Sequence, residues 1–140
     1  MEPKLIIIII AILTFLCLVV CGFYYVGSLS DLQITEKILA DIEAKKAVPE
    51  LKYNEDEFML YCAILDDCQD GKLKFETLNV PMPVFRMVLY ELGFKNLFIN
   101  EQELKKIHKG SIGVLEHMSG EAYGDNPPKW REWKERQDKK

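Results

Sequence analysis

The sequence lacks the motifs on which many catalytic and nucleotide-binding sites depend. It has no glycine-rich phosphate loop and no nucleophile elbow. Its only two histidines are His108 and His117, and no cysteine or carboxylate stands at a zinc-like spacing from them. A dyad of a histidine with Cys62 or Cys68 stays open, because catalytic partners meet in space rather than in sequence. We therefore predict a non-enzyme with no catalytic, cofactor-binding or metal-ligating residues and no small-molecule substrate.

Charge is absent from one long stretch, residues 5–27. A helix of this length covers about 34 Å, which is enough for the hydrocarbon core of a bilayer, about 30 Å thick. Two tyrosines close the stretch at one end, where amphipathic rings favour the membrane interface. The stretch predicts an anchor in the lipid bilayer. Its predicted membrane-anchoring residues are Ile6, Ile10, Leu13, Leu16, Tyr24 and Tyr25.

A cleaved signal peptide is the competing interpretation of the same stretch. Its apolar region usually has about 7–15 residues before a small-x-small cleavage site. Here the run is longer, and the best candidate site is residues 26–28. Residues 18–22 are similar to a lipoprotein signal with Cys21 as the lipid-bearing residue, although Val20 stands where a small residue is expected. The apolar length favours an uncleaved anchor.

Basic residues are scarce in most of the chain beyond the anchor. Residues 28–128 have a net charge of −7, and residues 129–140 have a net charge of +3. A body so acidic is unsuited to nucleic acid, which binds basic surfaces. Around the anchor, Lys4 precedes the apolar run, whereas the first basic residue after it is Lys37. The positive-inside rule thus predicts an N-terminus in the cytoplasm or matrix, with residues 28–140 on the opposite side.

Helical periodicity dominates the remaining chain. Residues 28–46 have an apolar stripe that suits either a stalk packed on the domain or a helix that pairs with a partner, and this helix either continues the anchor or breaks near residues 27–30. A second helix is predicted after Asn54, with Phe58, Tyr61, Cys62 and Leu65 on its buried face and a stop at residues 66–71. A short strand or extended segment follows at 72–80. Another helix is predicted within residues 97–110, with Asn100 at its cap and Gly110 as its stop. The next segment, 111–118, is ambiguous between a short strand and a helical turn.

Residues 81–94 form the most apolar stretch outside the anchor. Pro83 suits the first turn of a helix, and Gly93 suits the position just past its end. Five apolar residues recur at helical spacing and predict the central core helix of the domain, with a partner groove using Met82 and Met87 as the alternative. The five are Val84, Phe85, Val88, Leu89 and Leu92.

These patterns predict a mainly α fold: one N-terminal transmembrane helix followed by a small helical domain with at most a minor β element. Cys62 and Cys68 are expected to be free thiols, with a disulfide in an oxidising compartment as the alternative. The predicted parts are an anchor at 1–27, an amphipathic juxtamembrane helix at 28–48, a small helical domain at 49–126 and a basic, tryptophan-containing tail at 127–140.

An acidic cluster with a glycine follows the second helix. Asp66 and Gly71 occupy the first and sixth positions of a twelve-residue stretch, 66–77, that resembles an EF-hand loop, and the resemblance implies calcium held by six to eight oxygens. The third position is Cys68 and the twelfth is Thr77, so two carboxylate ligands of the family pattern are missing. The stretch is therefore predicted to be a polar turn.

The C-terminal tail is the best candidate for interaction. Two tryptophans three residues apart lie on one side of a helix and are flanked by basic residues. They suit a protein contact, an anionic membrane surface, or docking of the tail onto the domain's own core. The predicted partner-binding residues are Trp130, Arg131, Trp133 and Lys134.

The combination predicts a non-catalytic, single-pass membrane protein. Its expected role is that of an accessory or structural subunit of a membrane protein complex, with other protein subunits as partners. The alternative is a membrane-anchored inhibitor or immunity-type protein whose acidic domain covers a basic enzyme. A degenerate EF-hand-like calcium-binding domain is the remote alternative.

Overall fold

The computed structural model of the protein describes residues 2–140, so the first residue of the predicted anchor lies outside the described part. The mainly α prediction is confirmed: the described chain is built from five α-helices and one short 3₁₀ turn at Glu76–Leu78. The predicted minor β element is reduced there to a single antiparallel bridge between Lys74 and Asn96. The helices are α1 Pro3–Ala47, α2 Glu55–Gln69, α3 Val84–Glu91, α4 Glu101–Ser119 and α5 Pro127–Asp138.

Helix α1 is continuous through Gly27–Ser30, so the anchor and the juxtamembrane segment form one helix of 45 residues. Within the described residues, α1 alone is long and apolar enough to cross a membrane, and its most apolar 18-residue window has a mean hydropathy of 3.3 with none of it buried. A signal sequence has the same properties. Burial on α1 begins at Gly27 and continues at Asp31, Thr35 and Ile42, which lie on one side of the helix.

The core of the domain forms where the second half of α1 meets α2 and α4. The face predicted for α2 is confirmed, since Phe58, Tyr61, Cys62 and Leu65 are all buried. The predicted cap is also present, because the Asn54 side chain accepts a hydrogen bond from the backbone N–H of Glu57 at 3.1 Å. Helix α2 ends at Gln69, within the predicted stop at residues 66–71.

Helix α4 is longer than its sequence pattern indicated. Asn100 caps it as predicted, but Gly110 does not end it, and the ambiguous segment 111–118 is its second half. The helix ends at Gly120, whose φ of 75° suits a residue without a side chain. Gly110 is instead a packing position: a Cβ there would lie 2.7 Å from Cγ2 of Ile42. The missing side chain allows α1 and α4 to approach closely.

This close approach predicts opposite outcomes for two alanine substitutions in α4. Gly110→Ala is expected to lower the free energy of unfolding by about 1–3 kcal/mol, because the new methyl group overpacks against Ile42. Gly113→Ala is the matched control, since its Cβ would meet only the flexible end of Lys46. That variant is expected to gain up to about 1 kcal/mol from helix propensity. Urea unfolding of the full chain in mild detergent, followed by circular dichroism, measures both. Equal stability of the two variants would contradict close packing at Gly110.

Helix α3 does not form the predicted core of the domain. Leu89 is buried and Phe85 is partly buried, but the other apolar residues of the predicted stripe face outward, with Val84 78% and Leu92 68% exposed. The side chain buried beside Leu89 is that of Arg86, which pairs with Asp31 of α1. This ion pair draws the charged side of the helix inward, and the apolar side is consequently turned out.

The segment between α2 and α3 is irregular rather than a strand. Leu73 and Phe75 are buried, as their alternation with lysines predicts, but the extended backbone lasts only a few residues. The 3₁₀ turn then follows, and Asn79 adopts a left-handed conformation with φ of 47°. Pro81 and Pro83 precede α3. A residue that is followed by proline is disfavoured in the helical conformation, so the helix begins only after Pro83.

Candidate functional site

The tryptophans of the tail lie inside the domain. Trp130 is fully buried and Trp133 nearly so, and both rings contact Phe58 of α2. The indole N–H of Trp130 donates a hydrogen bond to the carbonyl of Gly124 at 2.9 Å. Of the three alternatives for the tail, the structure shows docking onto the domain's own core, with both indole rings buried. Partner binding through the tail stays a prediction and rests on its charged residues.

Two basic residues of the tail, Arg131 and Lys134, are paired with acidic residues. Arg131 forms an ion pair with Asp66 at the end of α2. Lys134 contacts Asp138 at 2.7 Å and Glu55 at 2.9 Å, and these hydrogen bonds raise the pKa of its ammonium group. Arg131 and Lys134 of α5 therefore contact acidic residues near the two ends of α2, and these ion pairs align α5 over Phe58.

The acidic cluster that resembles a calcium loop is a hydrogen-bonded turn. Asp67 is buried, and its carboxylate accepts a bond from the backbone N–H of Lys74 at 3.0 Å and from the hydroxyl of Thr77 at 2.5 Å. Asp66 is engaged by Arg131. Gly71 adopts a φ of 72° at the tip of the turn. Asp67 thus holds the turn closed, with Thr77, the twelfth residue of the pattern, as one of its partners, and Asp66 is engaged by α5.

Cys62 and Cys68 are both free, buried thiols of α2. Six residues of helix separate their backbones by about 9 Å, which is beyond the reach of a disulfide. Burial raises the pKa of the Cys62 thiol to about 11 and that of Cys68 to about 12. Both side chains are consequently neutral at physiological pH, unlike the activated thiolate that a nucleophilic cysteine requires.

A polar junction joins α1 to α3. The carboxylate of Asp31 accepts a hydrogen bond from the backbone N–H of Phe98 at 2.8 Å and lies 3.5 Å from the guanidinium of Arg86. Arg86 also donates to the carbonyl of Asn96 at 2.8 Å and lies against the rings of Phe75 and Phe98. Both charged side chains are fully buried, and burial raises the pKa of Asp31 against the lowering effects of Phe98 and Arg86. The sequence had no signal for this pair.

An open groove of about 710 Å³ runs between α1, α2 and the chain leading into α3. Its floor consists of partly buried aliphatic side chains, and its rim includes Gln33, Lys37 and Ala40 of α1. At one end the hydroxyl of Tyr61 donates a 2.6 Å hydrogen bond to Asp41. Burial and this bond raise the pKa of Tyr61 well above its usual range. The aliphatic floor includes Ile34, Ile38, Leu60 and Val80.

No protein-family model, curated protein or solved structure matches this chain. Sequence reasoning identified the apolar helix and the tail, but it missed the groove and the polar junction. Both features depend on contacts between segments that are distant in sequence. The one available signal was the apolar stripe of residues 28–46, which indicated that this part of α1 packs against another element without indicating which one.

Proposed function

We propose that this chain is a single-pass membrane protein that acts, without catalysis, as an accessory or structural subunit of a membrane protein complex. In this proposal residues 5–27 cross the bilayer, and residues 28–140 lie opposite the cytoplasm or matrix. The observation that carries the proposal is the form of α1. It passes without a break from an apolar half that is exposed along its length into a half that is built into the domain core.

One hydrogen bond suits a membrane-spanning helix, and two contacts at its far end support a retained anchor over a cleaved signal. Thr14, a polar residue in the middle of the apolar run, donates its hydroxyl to the carbonyl of Ile10 at 2.8 Å and so needs no water. At the other end, the ring of Tyr24 lies 4.6 Å from that of Phe98. Leu89 packs against Gly27 so closely that a Cβ there would lie 2.6 Å from it. Cleavage at residues 26–28 would remove part of this packing.

The groove beside α1 supports a role in protein assembly. Its aliphatic floor and mixed polar rim resemble the composition of a protein contact more than that of a reaction centre. Among the buried charged groups, Asp67 closes a turn and the Asp31–Arg86 pair joins two helices. These observations favour a binding role for the domain and a partner that approaches alongside the membrane helix.

Extraction of the full chain from native membranes in mild detergent, followed by sizing and mass spectrometry, tests this proposal. We expect an intact chain that retains residues 5–27 and co-purifies at fixed stoichiometry with other membrane proteins. Ala40→Arg, on the exposed rim of the groove, is expected to reduce that co-purification at least about tenfold, the effect of losing about 1.4 kcal/mol of binding. Ala44→Arg is the matched control, because Ala44 is an exposed alanine of the same helix outside the groove.

Two results would overturn the proposal. A lone chain of 16.2 kDa would exclude a stable subunit and favour the inhibitor alternative, in which the acidic body binds a soluble basic enzyme. Recovery of a chain without residues 5–27 would show that this segment is a cleaved signal peptide and not an anchor.

A further inference from the structure

The outer face of α3 is apolar although nothing in the described chain covers it. Viewed along the helix, the buried side holds Arg86 and Leu89, and the opposite side holds four exposed apolar residues with Glu91 as the one charge among them. In a helix on a water-exposed surface this distribution would be reversed. The exposed apolar face of α3 consists of Val84, Met87, Val88 and Leu92, and Phe94 continues it beyond the helix end.

This face begins directly beside the membrane-spanning half of α1. Phe85, at the start of α3, lines a shallow apolar cleft with four residues of the anchor. At the other end of α3, Phe94 contacts Phe98, whose ring packs on Tyr24. Helix α3 itself contacts α1 from Val19 to Asp31, since Arg86 pairs with Asp31, and this segment covers about 18 Å along α1. The anchor residues of the cleft are Val19, Gly22, Phe23 and Val26.

We propose that α3 lies in the interface of the same bilayer and inserts its exposed apolar face among the acyl chains as a second membrane contact. This inference rests on the proposed anchor, because the bilayer depth of residues 19–27 sets the depth of α3. Lipid is the occupant that the contacts favour: the surface of Phe85 is continuous with the lipid-facing side of the anchor. Interfacial helices are buried about 5–10 Å into the boundary between headgroups and acyl chains, a depth that these neighbours provide.

The one basic residue of α3 agrees with this placement. Arg86, the basic residue of the helix, is turned away from the apolar face and neutralised by Asp31 inside the domain. Glu91 lies on the exposed face in the last turn of the helix, where a carboxylate can reach the headgroup region. Lys95 lies beyond the helix end, with its ammonium group over the Tyr90 ring at 5.2 Å from its centroid. A helix held in this way would fix the tilt of the domain on the membrane surface.

Depth-dependent fluorescence quenching in phosphatidylcholine vesicles tests the inference. Single cysteines labelled with a nitrobenzoxadiazole dye are introduced at Val84 or Leu92, at the two ends of the apolar face. Leu13→Cys reports on the anchor, and Lys106→Cys, on an exposed site of α4, reports on water. The native thiols of Cys17 and Cys21 are first replaced by alanine. Cys62 and Cys68 are retained, since both are buried and un-ionised.

Nitroxide-bearing lipids and aqueous iodide are then added separately. We expect the dye at Val84 and Leu92 to be quenched about twofold more by a nitroxide near the headgroup than by one deep in the acyl chains, as suits an interfacial helix. The dye at Leu13 is expected to show the reverse preference, and the dye at Lys106 to respond to iodide alone.

Three other results would overturn the inference and are distinguishable. If the dyes at Val84 and Leu92 respond to iodide alone, as the dye at Lys106 does, while nitroxide lipids still quench the dye at Leu13, the anchor is retained and α3 is not in the bilayer. If neither nitroxide lipids nor iodide quench the dyes at Val84 and Leu92, a protein covers α3, either a second copy or a partner subunit. If lipid fails to quench Leu13 as well, the proposed anchor itself is wrong.

Discussion

Replacement of Trp130 by alanine is expected to lower the free energy of unfolding by about 3–5 kcal/mol, as is usual for a large aromatic residue removed from a core. The indole is fully buried, packs on Phe58 and Tyr123, and satisfies its N–H with the carbonyl of Gly124. Its loss would leave a cavity between α2 and α5 and release the tail. This loss would be a substantial part of the free energy of unfolding, about 5–15 kcal/mol, that is typical of a native protein.

Urea unfolding of the full chain in detergent, followed by near-ultraviolet circular dichroism, measures this effect. Arg131→Ala is the control, since it removes a neighbouring side chain whose ion pair with Asp66 is at the surface. That variant is expected to change stability by less than about 1 kcal/mol. If Trp130→Ala unfolds at the same urea concentration as the unaltered chain, α5 is not docked, and the tryptophans are free for a partner.

The second large effect is expected at the junction of α1 and α3. Removal of one charge from a buried ion pair leaves the other without compensation and costs about 3–5 kcal/mol. We therefore expect Arg86→Met to destabilise the full chain by that amount, since Asp31 would remain buried with only the N–H of Phe98 as a partner. The double variant Asp31→Leu/Arg86→Met is expected to recover most of the loss, because it removes both desolvated charges.

The destabilisation should depend on pH in a defined direction. Burial raises the pKa of Asp31 in the folded chain, and the loss of Arg86 raises it further. A group with a raised folded-state pKa favours folding below its unfolded pKa, about 3.9, and this contribution is lost as the pH rises through the folded value. The deficit of Arg86→Met relative to the unaltered chain should therefore be larger at neutral pH than in weak acid.

Stability curves at several pH values for the two single variants and the double variant measure this coupling. Lys105→Met is the control: it breaks the exposed Glu101–Lys105 pair and should cost less than about 1 kcal/mol at every pH. Additive effects of the two junction substitutions would contradict coupling between Asp31 and Arg86. A deficit that grows towards low pH would contradict the direction of the shift.

The local patterns of the sequence predicted much of the secondary structure. Asn54 and Asn100 cap helices as expected, because an N-cap needs only a side-chain oxygen and the backbone three residues on. The prediction of the buried face of α2 is also confirmed, because four apolar residues at helical spacing lie on one side of the helix, which is then the side that packs on the core. Such signals act within one or two turns of chain, and no distant contact is required to interpret them.

The incorrect predictions all involve distant contacts. The sequence pattern predicts a helix end at Gly110, because glycine favours the position just past a helix, but Gly110 is a packing site against Ile42 within α4. Helix α3 was placed in the core by its apolar stripe, whereas Asp31 draws Arg86 inward and turns that stripe out. Among the candidate site residues, Trp130 and Trp133 were identified, but their position inside the domain depends on Phe58.

Composition and short residue spacings are enough to specify a charge-free apolar helix long enough for a bilayer, the helical class of the domain and the caps of α2 and α4. Tertiary structure decided which side of α3 is exposed, where α4 ends, and whether the tail is free or docked. Periodicity specifies that a helix has an apolar side, but the partner available to that side is specified by residues elsewhere in the chain. In this protein one such partner, Asp31, reverses the expected orientation of a whole helix.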